Sequence, residues 1–248
     1  MMTGDVDLSR VAELIADRSR SRILVALTSG RELSASLLAE EAGVSRPTAS
    51  AHLKKLTEGG LIAVRAEGKS RHYRLAGPDV ADVLERLMEL APPEPITSLR
   101  ASTRAAQLRR ARSCYDHLAG RLAVGLMQSM IDRGFLRGGD GRFDPDGAGA
   151  DRPALYGRDF AYELTASGRE FLDRVGVRLP GGRRPLVRYC VDRTETRNHL
   201  AGQLGRALRD HVLEAGWVEQ RPGTRALRIT PDGTTAIQQT FGLLIEAG

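Results

Sequence analysis

Between residues 34 and 75 the spacing of apolar positions changes from helical to alternating. Leu37, Leu38 and Ala42 recur at helical intervals, and Gly43 follows where a left-handed backbone ends a helix at little cost. Ser45 is a good N-cap and Pro47 is tolerated in a first turn, so a second helix is predicted from Arg46 to Glu58. Its inner face is Ala49, Leu53 and Leu56, and Gly59 and Gly60 stop it. Residues 61–65 (LIAVR) and 71–75 (RHYRL) then alternate with a period of two, which predicts a hairpin around a turn at 66–70.

Two helices, a turn and a hairpin make a device for reading a DNA groove. The candidate contacts from the second helix are Ser45, Arg46, Thr48, Ser50, Ala51, His52, Lys54 and Lys55. They are small toward the N-terminal end, where close approach is needed, and cationic toward the C-terminal end, where phosphates are met. Arg65, Lys69, Arg71 and Arg74 give the hairpin a cationic character of its own. Cations on both helix and wing are what phosphate binding requires.

SRILVAL (21–27), LAEEAGVSRPTASAHLKKLTEGGLI (38–62) and EGKSRHYRL (67–75) together resemble the ArsR family of winged-helix transcriptional regulators, over about the first ninety residues. The resemblance implies a homodimer, paired through helices outside the reading head, that represses a promoter until an effector binds. Metal-sensing members carry a cysteine motif in the first helix of the head, whereas residues 32–43 (ELSASLLAEEAG) have no thiol. The helix predicted at 78–90 offers Asp79, Asp82 and Glu85 without a histidine, so neither usual metal site of the family carries over. Those acids read as a solvated face. Opposite them Val80, Val83, Leu84, Leu87 and Met88 form an apolar stripe which, with Leu8, Val11, Leu14 and Ile15, is either a dimer surface or packing within one subunit.

Beyond Pro92, Pro93 and Pro95 an extended linker gives way to residues 98–120, read as helix-forming and carrying Arg100, Arg104, Arg109, Arg110 and Arg112 ahead of any acid. That helix lies either along a DNA backbone or in solvent between domains. Residues 117–136 (HLAGRLAVGLMQSMIDRGFL) align without gaps to 199–218 (HLAGQLGRALRDHVLEAGWV), with seven of twenty positions identical. A strand and a helix start sharing a hydrophobic-Thr-x-x-Gly pattern follow each copy, at 162–172 and 227–237. A Gly- and Asp-rich loop at 138–153 is inserted in the first. The expected class is therefore mainly α with small β-wings. It comprises a DNA-binding and dimerisation winged helix at 1–91, a linker and basic helix at 92–113, and winged-helix-like repeats at 114–182 and 183–248. Neither repeat has the cationic face of residues 46–55, so base reading is expected of the head alone, and the repeats are a candidate effector or oligomerisation region.

Composition refines this. The 248 residues carry a formal charge of +6, and only Lys54, Lys55 and Lys69 among the 37 cations are lysines. The excess sits in the middle third: residues 92–184 hold 16 basic and 11 acidic side chains. No apolar run approaches the ~20 residues of a membrane span and no leader opens the sequence, so a cytoplasmic protein with reduced thiols is expected. A cysteine with an aspartate two residues on precedes each repeat: Cys114, Asp116 and His117, then Cys190, Asp192 and His199. Two thiolates and two imidazoles suit a soft metal such as zinc at Cys114, His117, Cys190 and His199; no cofactor is expected for DNA binding itself. The same residues with Tyr115, Phe135 and Trp217 are the candidate pocket for an unknown small-molecule or metal effector. Core packing, a redox pair, or a Cys–His enzyme with Cys114 as nucleophile are the other readings. The partners expected are double-stranded DNA and a second copy of the chain, with no membrane.

Overall fold

The computed structural model describes residues 5–68, 70–92, 95–142, 162–182, 184–221 and 223–246, in two compact units, Met1–Leu90 and Ala91–Gly248. In the first unit α1 (Leu8–Ala16) and α2 (Arg18–Leu27) meet at Asp17, whose carboxylate accepts from Arg20 N at 2.9 Å and caps α2. The short strand β1 (Leu33–Ser34) leads into α3 (Ala35–Ala42), which ends on Gly43 at φ +70°. Helix α4 (Arg46–Glu58) follows, then β2 (Ile62–Glu67), β3 (Ser70–Leu75) and α5 (Pro78–Leu90). The strands run two residues further into the hairpin than the alternation predicts, pairing Glu67 with Ser70. β1 adds a third strand beside β3 that the sequence reading did not foresee, two residues being too few to show a period. Lys69 lies outside the described residues. Ile23, Leu24 and Leu27 of α2 pack with Leu38, Leu53, Leu56, Ile62 and Leu75 to make the core.

Leu84 is part of that core, 4% exposed, and so leaves the predicted dimer stripe. Val83 and Leu87 on α5, at 49% and 40%, and Leu8 and Val11 on α1 remain exposed.

The second unit opens with α6 (Leu99–Arg110), which stops ten residues short of the predicted helix. Residues 112–119 are instead a hairpin, β4 (Arg112–Cys114) and β5 (His117–Ala119), followed by α7 (Arg121–Asp132), β6 (Leu136–Gly138), β7 (Tyr162–Leu164) and α8 (Ala166–Val175). The second half repeats the order: β8 (Arg188–Asp192), β9 (Arg197–Ala201), α9 (Gly202–Glu214), β10 (Val218–Gln220), β11 (Leu227–Ile229) and α10 (Pro231–Phe241). Each half thus carries a hairpin ahead of its first helix as well as one after it.

The Thr-x-x-Gly pattern has one physical meaning in both halves. Thr165 and Thr230 cap α8 and α10, accepting from Gly168 N at 3.0 Å and Gly233 N at 2.9 Å, while each hydroxyl donates to the carbonyl of Gly134 or Gly216 at 2.9 Å. A Cβ at Gly168 would stand 2.4 Å from the Phe135 carbonyl, and one at Gly233 2.0 Å from that of Trp217, so only glycine lets the capped helix approach the end of the preceding one.

The halves also exchange edges. Ser113 N donates to Arg225 O and Leu227 N to Ala111 O, both at 2.9 Å, while Asn198 N donates to Gly141 O at 3.0 Å. The first hairpin of each half therefore bonds to the second hairpin of the other. One continuous core runs through both, with Leu122, Leu126 and Met130 of α7 against Leu200, Leu204, Leu208 and Val212.

Candidate nucleic-acid interface and a buried cysteine-histidine cluster

Ser45 fixes the start of α4: its hydroxyl accepts from Thr48 N at 3.3 Å and lies 2.8 Å from the Thr48 hydroxyl. Burial of Ala49, Leu53 and Leu56 fixes the rotation of the helix, leaving Arg46, Thr48, Ser50, Ala51, Lys54 and Lys55 exposed. His52 does not share that face. It is half-buried on the flank with Nδ1 3.8 Å from Asp17 Oδ1, so it faces the cap of α2.

The wing cations are not equivalent. Arg65 Nε donates to Glu32 Oε2 at 2.7 Å and its Nη1 lies 3.1 Å from Glu67, while Arg74 Nε is 3.9 Å from Glu32 Oε1. Glu32, which the sequence reading did not single out, thus competes with phosphate for two of the wing cations. Nothing local could have revealed it, since Arg65 lies 33 residues away. Arg71, paired in register with Ala66, is exposed and has no ion pair among the described residues.

The Arg-rich helix is largely occupied within its own unit. Arg109 Nε lies 2.6 Å from Glu195, and Arg112 Nη2, just beyond the helix, 2.9 Å from Asp192.

The cysteines and histidines come together on the first hairpins. Cys114 is the cross-strand partner of His117 in β4–β5, and Cys190 that of His199 in β8–β9. Their unequal spacing, with two residues between the first pair and eight between the second, reflects only how long each hairpin is. The shorter turn, Tyr115–Asp116, places Tyr115 at φ +52°, as two-residue hairpin turns require. The rings of His117 and His199 lie 5.2 Å apart. Ligand atoms of Cys114, His117 and His199 are all within 4.8 Å of one another, and Cys190 Sγ is within 4.8 Å of a His117 nitrogen. Cys114, His117 and His199 are buried and Cys190 half-buried.

Each histidine has an aspartate at Nδ1. His117 Nδ1 donates to Asp116 Oδ1 at 3.3 Å, and His199 Nδ1 is 3.9 Å from Asp192 Oδ2. Asp192 is fully buried but well supplied with donors: Arg112, Gly120 N at 2.6 Å, and both the amide and hydroxyl of Thr194. Burial acts to raise the pKa of Asp192, but the charges of Arg112 and His199 with these hydrogen bonds hold it well below the usual carboxylate range. Asp116, ion-paired with Arg184, is likewise lowered by His117 and Arg184 against the cost of burial. Burial pushes His199 well below its ordinary value, helped by the His117 and Arg112 charges against the pull of Asp192, so it is neutral at pH 7. His117 Nε2 and both ring nitrogens of His199 have no hydrogen-bond partner among the described residues.

Phe135 and Trp217 stand elsewhere. They follow the C-terminal ends of α7 and α9, a helix length of about 18–20 Å from the hairpins that precede those helices. Phe135 stacks on Phe171 at 4.5 Å, and Trp217 meets His211 edge-on at 5.1 Å. A cleft of about 550 Å³ opens beside α7, lined among others by Arg121, Arg133, Glu195, Arg197 and Leu243, and by none of the four cysteine and histidine residues.

A family pattern described as a helix-turn-helix domain matches residues 15–65. The chain is 36% identical over 242 residues to an uncharacterized HTH-type transcriptional regulator, YdfF, of Bacillus subtilis, a match spanning 96% of this chain and 99% of the relative. The arsenical resistance operon repressor of Staphylococcus aureus is 35% identical over 81 residues, covering 33% of this chain and 77% of that protein. A solution structure of the homodimeric winged helix-turn-helix DNA-binding domain of a possible ArsR-family regulator from Mycobacterium bovis is 33% identical, covers 36% of this chain and 89% of that one, and superposes with a TM-score of 0.32.

Proposed function

Because the chain belongs to the ArsR-like family of helix-turn-helix transcriptional regulators, we propose that it is an effector-responsive repressor whose two heads bind an inverted-repeat operator as a homodimer. The observation that carries this reading is the exposed face of α4, with small side chains at its capped start, Lys54 and Lys55 further on, and Arg71 exposed on the wing. Small residues admit the helix to a major groove, and the cations meet phosphates on either side. The exposed apolar residues of α1 and α5 supply the pairing surface, and its covering in a dimer removes Leu8, Val11, Val83 and Leu87 from water. Among the described residues no helix is long and apolar enough to cross a membrane. Its likeness to bacterial transcriptional regulators supports the cytoplasm as its place of work.

We read the C-terminal unit as regulatory and not catalytic. The relative matched over the whole length of this chain is described as a transcriptional regulator, and that match is what supports the reading. An effector bound there shifts operator affinity by as much as it prefers one arrangement of the dimer over another.

Selection of bound duplexes from a random pool, followed by binding measurements at several salt concentrations, tests the reading. Half-sites about 10 base pairs apart, with log K falling linearly against log salt, are expected. Recovery of no enriched sequence, with affinity equal to that for random DNA, overturns it.

A further inference from the structure

We propose that Cys114, His117, Cys190 and His199 form a site for one soft divalent cation of the zinc(II) class, each repeat supplying one thiolate and one imidazole. The proposal is independent of how the head reads DNA. Three features carry it. Cross-strand pairing sets the four side chains out alike in the two hairpins despite their unequal spacing along the chain. The ligand atoms of Cys114, His117 and His199 lie within 4.8 Å of one another, and Cys190 within that distance of His117. Tetrahedral coordination at the usual zinc bond lengths needs separations of about 3.3–3.8 Å, so the four side chains draw closer on binding. Finally, three buried imidazole nitrogens, His117 Nε2 and both of His199, have no partner among the described residues, on side chains 2% and 1% exposed. Buried ring nitrogens left unpaired are costly, and a bound metal removes that cost for one nitrogen of each ring.

The surroundings fit a metal more closely than a packed core. Asp116 accepts from His117 Nδ1, which leaves the Nε2 lone pair for the cation, and the Asp192 carboxylate stands 3.9 Å from Nδ1 of His199, beyond a hydrogen bond. A carboxylate behind a ligating histidine is the usual second layer of such sites. On binding, the two thiols lose their protons to solvent and two thiolates neutralise the dication, so the filled site carries no net charge into the interior. The core reading explains the burial of these residues but not the unpaired nitrogens.

The test is a titration of the metal-depleted full-length protein with cobalt(II), whose d–d and thiolate-to-metal absorptions report geometry and sulfur ligation. Saturation at one cobalt per chain, with thiolate bands that zinc(II) abolishes, is expected. Cys114→Ser should lose about half of the thiolate absorption, one of two thiolates being removed, and His199→Gln should weaken binding by about a hundredfold or more. Asp116→Asn should retain the spectrum but bind about 10–100-fold more weakly. His211→Gln, on the Trp217 side of α9, should change nothing. Should the ligand variants not fold, alkylation of the native protein decides, because bound zinc must slow modification of both thiols. The proposal is overturned by absence of saturable binding, by a spectrum indifferent to Cys114→Ser and His199→Gln, or by thiols that zinc does not protect.

Discussion

Glu32 holds two of the wing arginines, and the strength of the wing on DNA depends on how readily it lets them go. The contacts it makes are exposed ion pairs, worth little individually and screened by salt. Glu32→Gln should therefore tighten binding to scrambled DNA by about two- to fivefold at low salt, the effect fading as salt rises. Fluorescence anisotropy on a labelled duplex measures it, and unchanged affinity at low salt would dismiss Glu32 as a competitor. Lys55→Ala and Arg71→Ala should weaken operator and scrambled DNA about equally, each lowering the salt slope by about one. Substitutions at Arg46 or Ser50 should alter sequence preference instead. Equal losses on both DNAs from all four would undo the division into phosphate and base contacts. Ser45, Ala49, Leu53 and Leu56 were legible in the sequence because capping and helical period act within a few residues. Glu32 and His52 were not, since the partners that define them, Arg65 and Asp17, are brought to them by the fold.

At the scale of elements, the Thr-x-x-Gly pattern was visible as a repeat and its chemistry only in the structure. Thr165→Ala and Thr230→Ala should each cost about 1–2 kcal/mol, since each removes a helix cap together with a bond to a glycine carbonyl. Gly233→Ala should cost more, because the new methyl would meet the Trp217 carbonyl at 2.0 Å. Urea unfolding followed by the fluorescence of Trp217, the only tryptophan, reports both on the C-terminal unit. A Gly233→Ala protein as stable as the parent would show that the two chain segments can separate freely. The helix that was expected to reach residue 120 ends at Arg110 for a reason outside its own sequence. Residues 111–113 bond to residues 225–227 in the other half, so local helix-forming character yields to long-range pairing. In the reading head α3 and α4 end where the sequence predicts, because Gly43 and Ser45 act within a few residues.

At the scale of the whole molecule, α5 separates two roles that its apolar stripe merges. Val83→Glu with Leu87→Glu should give monomers by light scattering that bind the operator weakly, with circular dichroism unchanged. Leu84→Glu should instead unfold the first unit, as it buries a charge in a packed core. A doubly substituted protein that remains dimeric would place the pairing surface elsewhere. The exchange of edges between the repeats has a consequence for symmetry. A chain carrying one repeat alone would leave both its hairpin edges and one side of its long helix without cover, and a second identical chain could satisfy all three at once. The arrangement is the one that two single-repeat chains related by a rotation axis would take, held here within one chain.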